Sequence, residues 1–280
     1  MDSEVSAVFF GLAAATCWGA GDFSGGFATK RSNVYTVIII SQIIGMTFLV
    51  VLALILSERF PSLVDAFWGC MAGLCGGIGL VALYRGLSLG HMGIVAPISA
   101  VVTAIVPVIV GLSIEGLPAI QQLVGFGIAL IAIWFISRTD EETEIQIRYL
   151  GLPILAGLGF GFFQVFIDRT SEGSVLWPLV AVRIASMSML FLVTAFTKQI
   201  QVPNTDKLPL IALAGIFDSG GNIFFVLAAE AGRLDIAAIL SSLSPAGTVL
   251  LSWLILKEKI TGRQLFGILI AVIAVSLIAS

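Results

Sequence analysis

Long apolar runs broken by short polar turns repeat along the whole chain. The first covers residues 5–29 and stops at Lys30 and Arg31, and the second covers 34–56, ahead of Glu58, Arg59 and Pro61. Further runs follow at 63–87, 94–114, 119–136, 149–167, 175–197, 208–231, 236–256 and from 263 to the end. The breaks carry Gly, Pro or charge, as in Glu115-Gly116-Leu117-Pro118 and in the stretch from Lys257 to Gly262. Each run is close to the roughly 20 residues that a helix needs to cross a hydrocarbon core. The runs are continuously apolar, whereas the strands of a membrane β-barrel alternate. The pattern therefore predicts an all-α integral membrane protein with about ten transmembrane helices.

Composition removes the alternatives. Of 280 residues, 58% are hydrophobic and 11% are charged, against about 25% charged in a typical soluble domain. The breaks are too short to hold a separate globular domain. A net charge of -3 without a basic patch gives no reason to expect nucleic acid as a partner. Cys17, Cys70 and Cys75 all lie in apolar stretches and read as small hydrophobes. No metal-type cluster or cofactor motif is present, and no Gly-rich phosphate loop with its lysine suggests ATP-driven pumping. The acidic start has neither a charged leader nor a small-residue cleavage site, so no cleaved signal peptide is expected. The expected partners are the lipid bilayer and a small-molecule substrate, and a bacterial inner membrane is the default location. Oligomeric state is not legible.

The most charged stretch, 138–148, sits at the midpoint, and the two halves align with a shift of 142 residues. Gly90 falls on Gly232, Ile94 on Ile236, Ser99 on Ser241 and Gly125 on Gly267. This divides the chain into a first repeat at 1–137, a linker at 138–148 and a second repeat at 149–280. Five helices per half is an odd number. The second repeat must then enter the membrane from the opposite side, giving the inverted repeats of many secondary transporters.

The segment around Glu258, with Gly267 nine residues on inside the last helix, resembles the second-repeat signature of EamA-type members of the drug/metabolite transporter superfamily. Glu115 with Gly125 is its weaker first-half counterpart, and the Trp18-Gly19 pair resembles the family's first helix. Pro107 and Pro245 also sit in family-like positions. The resemblance spans the chain and implies ten helices in two inverted five-helix repeats that transport small metabolites. It leaves the substrate open.

A charge at a helix centre costs roughly 2.5 to 3.5 kcal/mol on insertion scales, so intramembrane polar residues are functional candidates. Asp218 stands in the middle of the eighth run, with Asn222 one turn on. Its repeat partner lies in the Gly-rich stretch 73–79, at Gly76. Gly76, Gly77, Gly220 and Gly221 read as a hinge or as close-packing positions. Asp22, one turn after Trp18, is matched by Gln164, and reads as lining the same cavity or lying at the membrane interface. Arg183 needs a partner, for which either aspartate serves, and a structural ion pair is the simpler reading. Ser241, Ser242, Ser244 and Thr248 of the ninth run, with Ser99 and Thr103 of the fourth, either bind a polar substrate or bond to their own helix. Trp18, Tyr84 and Phe163 are candidate aromatic walls. Glu230, Arg233 and Asp235 read as interfacial, and His91, the only histidine, as a turn residue.

Together these features predict a secondary transporter that exports a small polar or amphipathic metabolite by alternating access, with Asp218 and Asp22 binding substrate or a coupling proton. A sensor or scaffold without transport is the alternative. A membrane-embedded enzyme would need a carboxylate cluster or a nucleophile with its base, which is missing, so no catalytic residue is assigned. The turns after the odd-numbered runs hold ten of the basic residues, from Lys30 to Arg263, whereas the others hold Arg59, Arg169 and Arg233. The positive-inside rule places the first set in the cytoplasm and the termini outside.

Overall fold

The computed structural model describes residues 3–29, 32–88, 92–137, 150–171, 173–197 and 207–279. The linker at 138–148, His91, Lys30 and Arg31 lie outside the described residues. The helices are α1 (Ser3–Thr29), α2 (Val34–Ile55), α3 (Leu63–Ser88), α4 (Met92–Ile114), α5 (Ile120–Ser137), α6 (Gly151–Ile167), α7 (Leu176–Thr197), α8 (Leu208–Ala231), α9 (Leu234–Ser241), α10 (Ser244–Leu251) and α11 (Gly262–Ile278). A π-helical turn at Ser252–Leu256 continues α10.

Eight segments are long and apolar enough to cross a bilayer, with α9, α10 and the π turn together forming Leu234–Leu256. Helices α6 and α11 are apolar but shorter, at 17 residues each, the lower end of the range for a spanning helix. Outward-facing Leu54, Phe191, Leu254 and Val272 are each about 60% exposed. Such an apolar belt is stable only against lipid.

Local chemistry sets several of the ends. The Asn33 side chain accepts hydrogen bonds from the amides of Tyr35 and Thr36 at the start of α2. Ser62 and Asp65 cap each other reciprocally at the start of α3. Thr261 and Gln264 form a capping box that opens α11. Gly116 takes a φ of +81° just past α4, a conformation with no steric cost for glycine.

The ninth run is not the continuous helix that its hydropathy suggests. Pro245 has no amide hydrogen, and its ring collides with the carbonyl four residues back, that of Ser241. Helix α9 ends at Ser241 and α10 begins at Ser244. In contrast, α3 and α8 run unbroken through their glycines. These glycines make room for neighbours. A Cβ on Gly221 would lie 2.5 Å from Nε1 of Trp18, whereas Gly76 and Gly220 meet Phe163 and Cys17 at ordinary contact distance. The helix break therefore belongs to the ninth run, not to the hinge positions Gly76, Gly77, Gly220 and Gly221.

The halves interlock. Helix α1 packs chiefly on α8, α3 on α6 and α7, α2 on α8 and α7, and α5 on α11. Exchanging each first-half helix for its second-half counterpart maps these pairs onto one another. The α3–α6 pair is antiparallel, since Gly76 meets Phe163 while Gly79 meets Ala156 and Phe160. The α1–α8 pair is antiparallel in the same way, with Gly21 against Ala214 and Gly232 against Ala7. Such small-residue contacts let helix backbones approach closely where lipid offers no hydrophobic drive.

Candidate functional site

A cavity of about 510 Å³ lies between the two halves. Every helix from α1 to α11 except α9 at its start contributes to the wall, with Ser241 the contact from α9. It reaches Leu83 near the end of α3, Ser137 at the end of α5 and Gln264 in the first turn of α11. It thus extends toward the end of the bundle that carries the turns after α1, α3, α5 and α7.

Its charged centre is Arg183. This side chain is 4% exposed and forms an ion pair with Asp218. It also donates to the Gln42 amide oxygen at 2.7 Å and to Ser219 Oγ at 3.1 Å, so that α2, α7 and α8 meet on one guanidinium. The Arg183 Nε has no partner. Asp218 is half open to the cavity, its side chain 45% exposed. Such charge-assisted contacts, with a guanidinium fork, are the form in which a cation is tolerated inside a membrane. The predicted need of Arg183 for an acidic partner is met by Asp218 rather than Asp22.

Trp18 and Asp22 of α1, Gln164 of α6, Asn222 of α8, and Ser241 and Ser242 at the helix break all line this cavity with Arg183 and Asp218, as do Gly76 and Gly77. Gly220 and Gly221 lie behind it. Tyr84 is on α3, but its side chain lies outside the described residues. Of the hydroxyls, Thr103 donates to Ser99 O, Ser241 to Ala238 O, and Thr248 to Gly19 O and Ser244 O. These bonds occupy their protons within a helix or, for Thr248, also across to α1. The Gln164 amide oxygen and Ser242 Oγ are buried without partners. Gln42, Ser186 and Gln264 also line the cavity without having been singled out from the sequence. Gln42 had a signal, a lone amide in the run Val37 to Ile44.

The opposite end is closed by side chains that reach across to backbone. Glu58, from the turn after α2, accepts from the amides of Leu176 and Trp177 at 3.0 to 3.3 Å, and Trp177 Nε1 donates back to Glu58 O at 3.1 Å. Phe60 stacks on Trp177 at 4.6 Å. Asp65 accepts from the Ser171 amide at 2.8 Å and Glu230 from the Gly173 amide at 2.9 Å. Arg233 donates to the carbonyls of Glu115 and Gly116 while paired with Asp235, and Glu115 accepts from the Leu234 amide at the start of α9. Carboxylates at helix N-termini satisfy orphan amides and meet the positive end of the helix dipole. Asp235 is 0% exposed. Beside this cluster, Asp168 is pushed up to about 6 by burial and by the negative charge of Glu115.

The model of the EamA-like transporter family matches residues 5–138 and again residues 148–280. The chain belongs to the EamA-like transporter family. It is accordingly an integral membrane protein and a membrane transporter of the drug/metabolite transporter superfamily. This EamA chain is similar to an uncharacterized protein of Methanocaldococcus jannaschii, 28% identical over 130 residues. The match takes in 93% of that protein but 46% of this chain. A protein of known crystal structure, 15% identical in sequence, shares the fold with a TM-score of 0.79 over 98% of this chain and 96% of its own.

Proposed function

We propose that this chain is a secondary transporter that moves a small polar or amphipathic metabolite by alternating access, with the central cavity as its substrate site. The observation that carries this reading is the asymmetry of the cavity. It is lined by both halves and extends toward one end of the bundle, while the other end is laced shut between the halves by Glu58, Asp65, Glu115 and Arg233. Ten membrane-crossing segments, in two five-helix repeats of opposite orientation at 1–137 and 149–280, fit the exchange of packing partners between the halves. They also fit a relative 93% of which is matched by 46% of this chain. Rocking one repeat against the other would then open the laced end and close the basic one.

Export is the direction we favour. The cavity extends toward the turns richest in Lys and Arg, which the positive-inside rule assigns to the cytoplasm. Asp22 and Asp218 are the groups suited to carry a coupling proton. We place the chain in a bacterial inner membrane and assign it no catalytic role. Proteoliposomes loaded with a defined mixture of amines, amino acids, nucleosides and organic acids test the reading. One chemical class should leave faster than from protein-free vesicles, and Asp218→Asn should slow it. Equal retention of all classes overturns the proposal, and unchanged efflux after collapse of a pH gradient overturns proton coupling.

A further inference from the structure

The ionisable groups of the cavity do not balance. Arg183 is held by Asp218, Gln42 and Ser219, so its charge is matched within the wall. Asp22 is a second carboxylate on the same cavity and is exposed to it, with no hydrogen-bond or ion-pair partner among the described residues. Gly21 backs directly on the Asp218 backbone, so the two acids are neighbours across the α1–α8 contact. With all three groups ionised, one positive charge faces two negative ones.

The orphan polar atoms lean the same way. Gln164, which the repeat shift places opposite Asp22, is 2% exposed, and its amide oxygen lacks a donor. Ser242 Oγ, 7% exposed at the helix break, is also unpartnered. A buried acceptor without a donor is costly, so a ligand that brings N–H groups relieves that cost. The orphan hydroxyls of Ser137 and Ser242 can donate or accept, and at the orphan Arg183 Nε the charge is already neutralised by Asp218. An anionic ligand would have to displace Asp218 and face Asp22 as well. Between hydroxyls and amides the wall also carries apolar and aromatic side chains, with Trp18 one turn from Asp22 and with Phe160 and Phe163. Indole and phenyl faces attract cations.

We propose that the substrate carries a protonated amine on an apolar or aromatic body, its charge met by Asp22 and its remaining donors by the Gln164 oxygen and Ser242. This deepens the transporter reading and rests on the cavity being the substrate site. The cavity's 510 Å³ suits a small metabolite within the range of about 300 to 1,000 Å³ usual for ligand sites.

Three probes that share a phenylethyl body test it on the full chain in detergent by titration calorimetry: 2-phenylethylammonium, 2-phenylethanol and 3-phenylpropionate. The ammonium should bind at least about tenfold more tightly than either other probe, equivalent to about 1.4 kcal/mol. Asp22→Asn should remove that preference and Asp22→Glu should keep it, with both variants monodisperse and helical by circular dichroism. Equal binding of the alcohol would mean that a proton, not a substrate cation, neutralises Asp22, and overturns the proposal. So does tighter binding of the carboxylate, a preference that survives Asp22→Asn, or no binding of the ammonium at millimolar concentration. If Asp22→Asn fails to fold, Gln164→Leu should weaken ammonium binding severalfold while Asp22→Glu keeps the preference, and an unchanged ammonium affinity in Gln164→Leu overturns the proposal. Flux is a separate readout: selective binding of the ammonium without its movement across proteoliposomes overturns the transporter reading and leaves the amine site standing.

Discussion

Gly125 and Gly267 make the same contact in opposite directions. A Cβ on Gly125 would lie 2.8 Å from Cγ1 of Ile278, and a Cβ on Gly267 would lie 2.7 Å from Cγ1 of Ile136. Each glycine is 142 residues from the other, as is each isoleucine. The signature glycines of the two repeats thus form one reciprocal seam between α5 and α11. Gly125→Ala and Gly267→Ala should each destabilise the protein by about 1 to 3 kcal/mol, the range for overpacking a filled core, and by similar amounts. Ile136→Ala, which removes Cγ1, should combine less than additively with Gly267→Ala but additively with Gly125→Ala, and thermal unfolding of the double variants reads this coupling.

The Arg183–Asp218 pair predicts an asymmetry between its two single variants. Asp218→Asn strands a guanidinium that is 4% exposed, whereas Arg183→Met leaves a carboxylate that is 45% exposed to the cavity. Breaking a fully buried pair costs about 3 to 5 kcal/mol. Asp218→Asn should approach the lower end of that range, and Arg183→Met should cost clearly less because cavity water solvates the remaining acid. Denaturation midpoints of the two variants and of the double variant check the order.

The laced end should loosen when its carboxylates are removed. Glu58→Gln weakens the acceptor for the Leu176 and Trp177 amides, and Glu115→Gln weakens that for Leu234 and Arg233. Each change should cost less than the 1.5 to 3 kcal/mol of a buried hydrogen bond to a charged group, since both sites are partly open. A cysteine at Ser186, placed in a background without Cys17, Cys70 and Cys75, should then react severalfold faster with an impermeant maleimide added at that face. An unchanged labelling rate would mean that these contacts do not hold the end shut.

Acid should favour the state seen here through Asp168. Its folded pKa, about 6, lies above the value of about 3.9 for an unfolded aspartate, so the folded chain binds the proton more tightly. The cost of holding this group ionised is present above about pH 6 and disappears as pH falls from 6 toward 4. The thermal midpoint should rise between about pH 7.5 and 5. Asp168→Asn should raise the midpoint at the higher pH and flatten the profile, which a pH series of unfolding scans measures.

The spans and the polar residues of the cavity were legible because a bilayer makes both conspicuous: long apolar runs, and rare polar side chains that must face something other than lipid. Asp22, Gln164, Arg183 and Asp218 all announced themselves in this way. The closed end did not. Glu58 and Glu115 sit in turns and Asp65 in the first turn of α3, where acids are ordinary, and their partners are backbone amides with no identity in the sequence. The helix break was half legible. Pro245 was visible, but the glycines at 73–79 and 215–222 gave a louder signal of interruption and serve instead to admit Trp18 and other neighbours.

Because α1 rests on α8 and α3 on α6 and α7, the first half of the chain leaves the ribosome before most of its packing neighbours exist. Its five helices must wait in the bilayer, with the Gly faces of α1 and α3 turned to lipid or to one another, until residues 150 onward arrive. Folding is therefore gated by the end of synthesis rather than proceeding helix by helix. An interruption after the midpoint linker would yield not a smaller working domain but a set of helices in search of a complement.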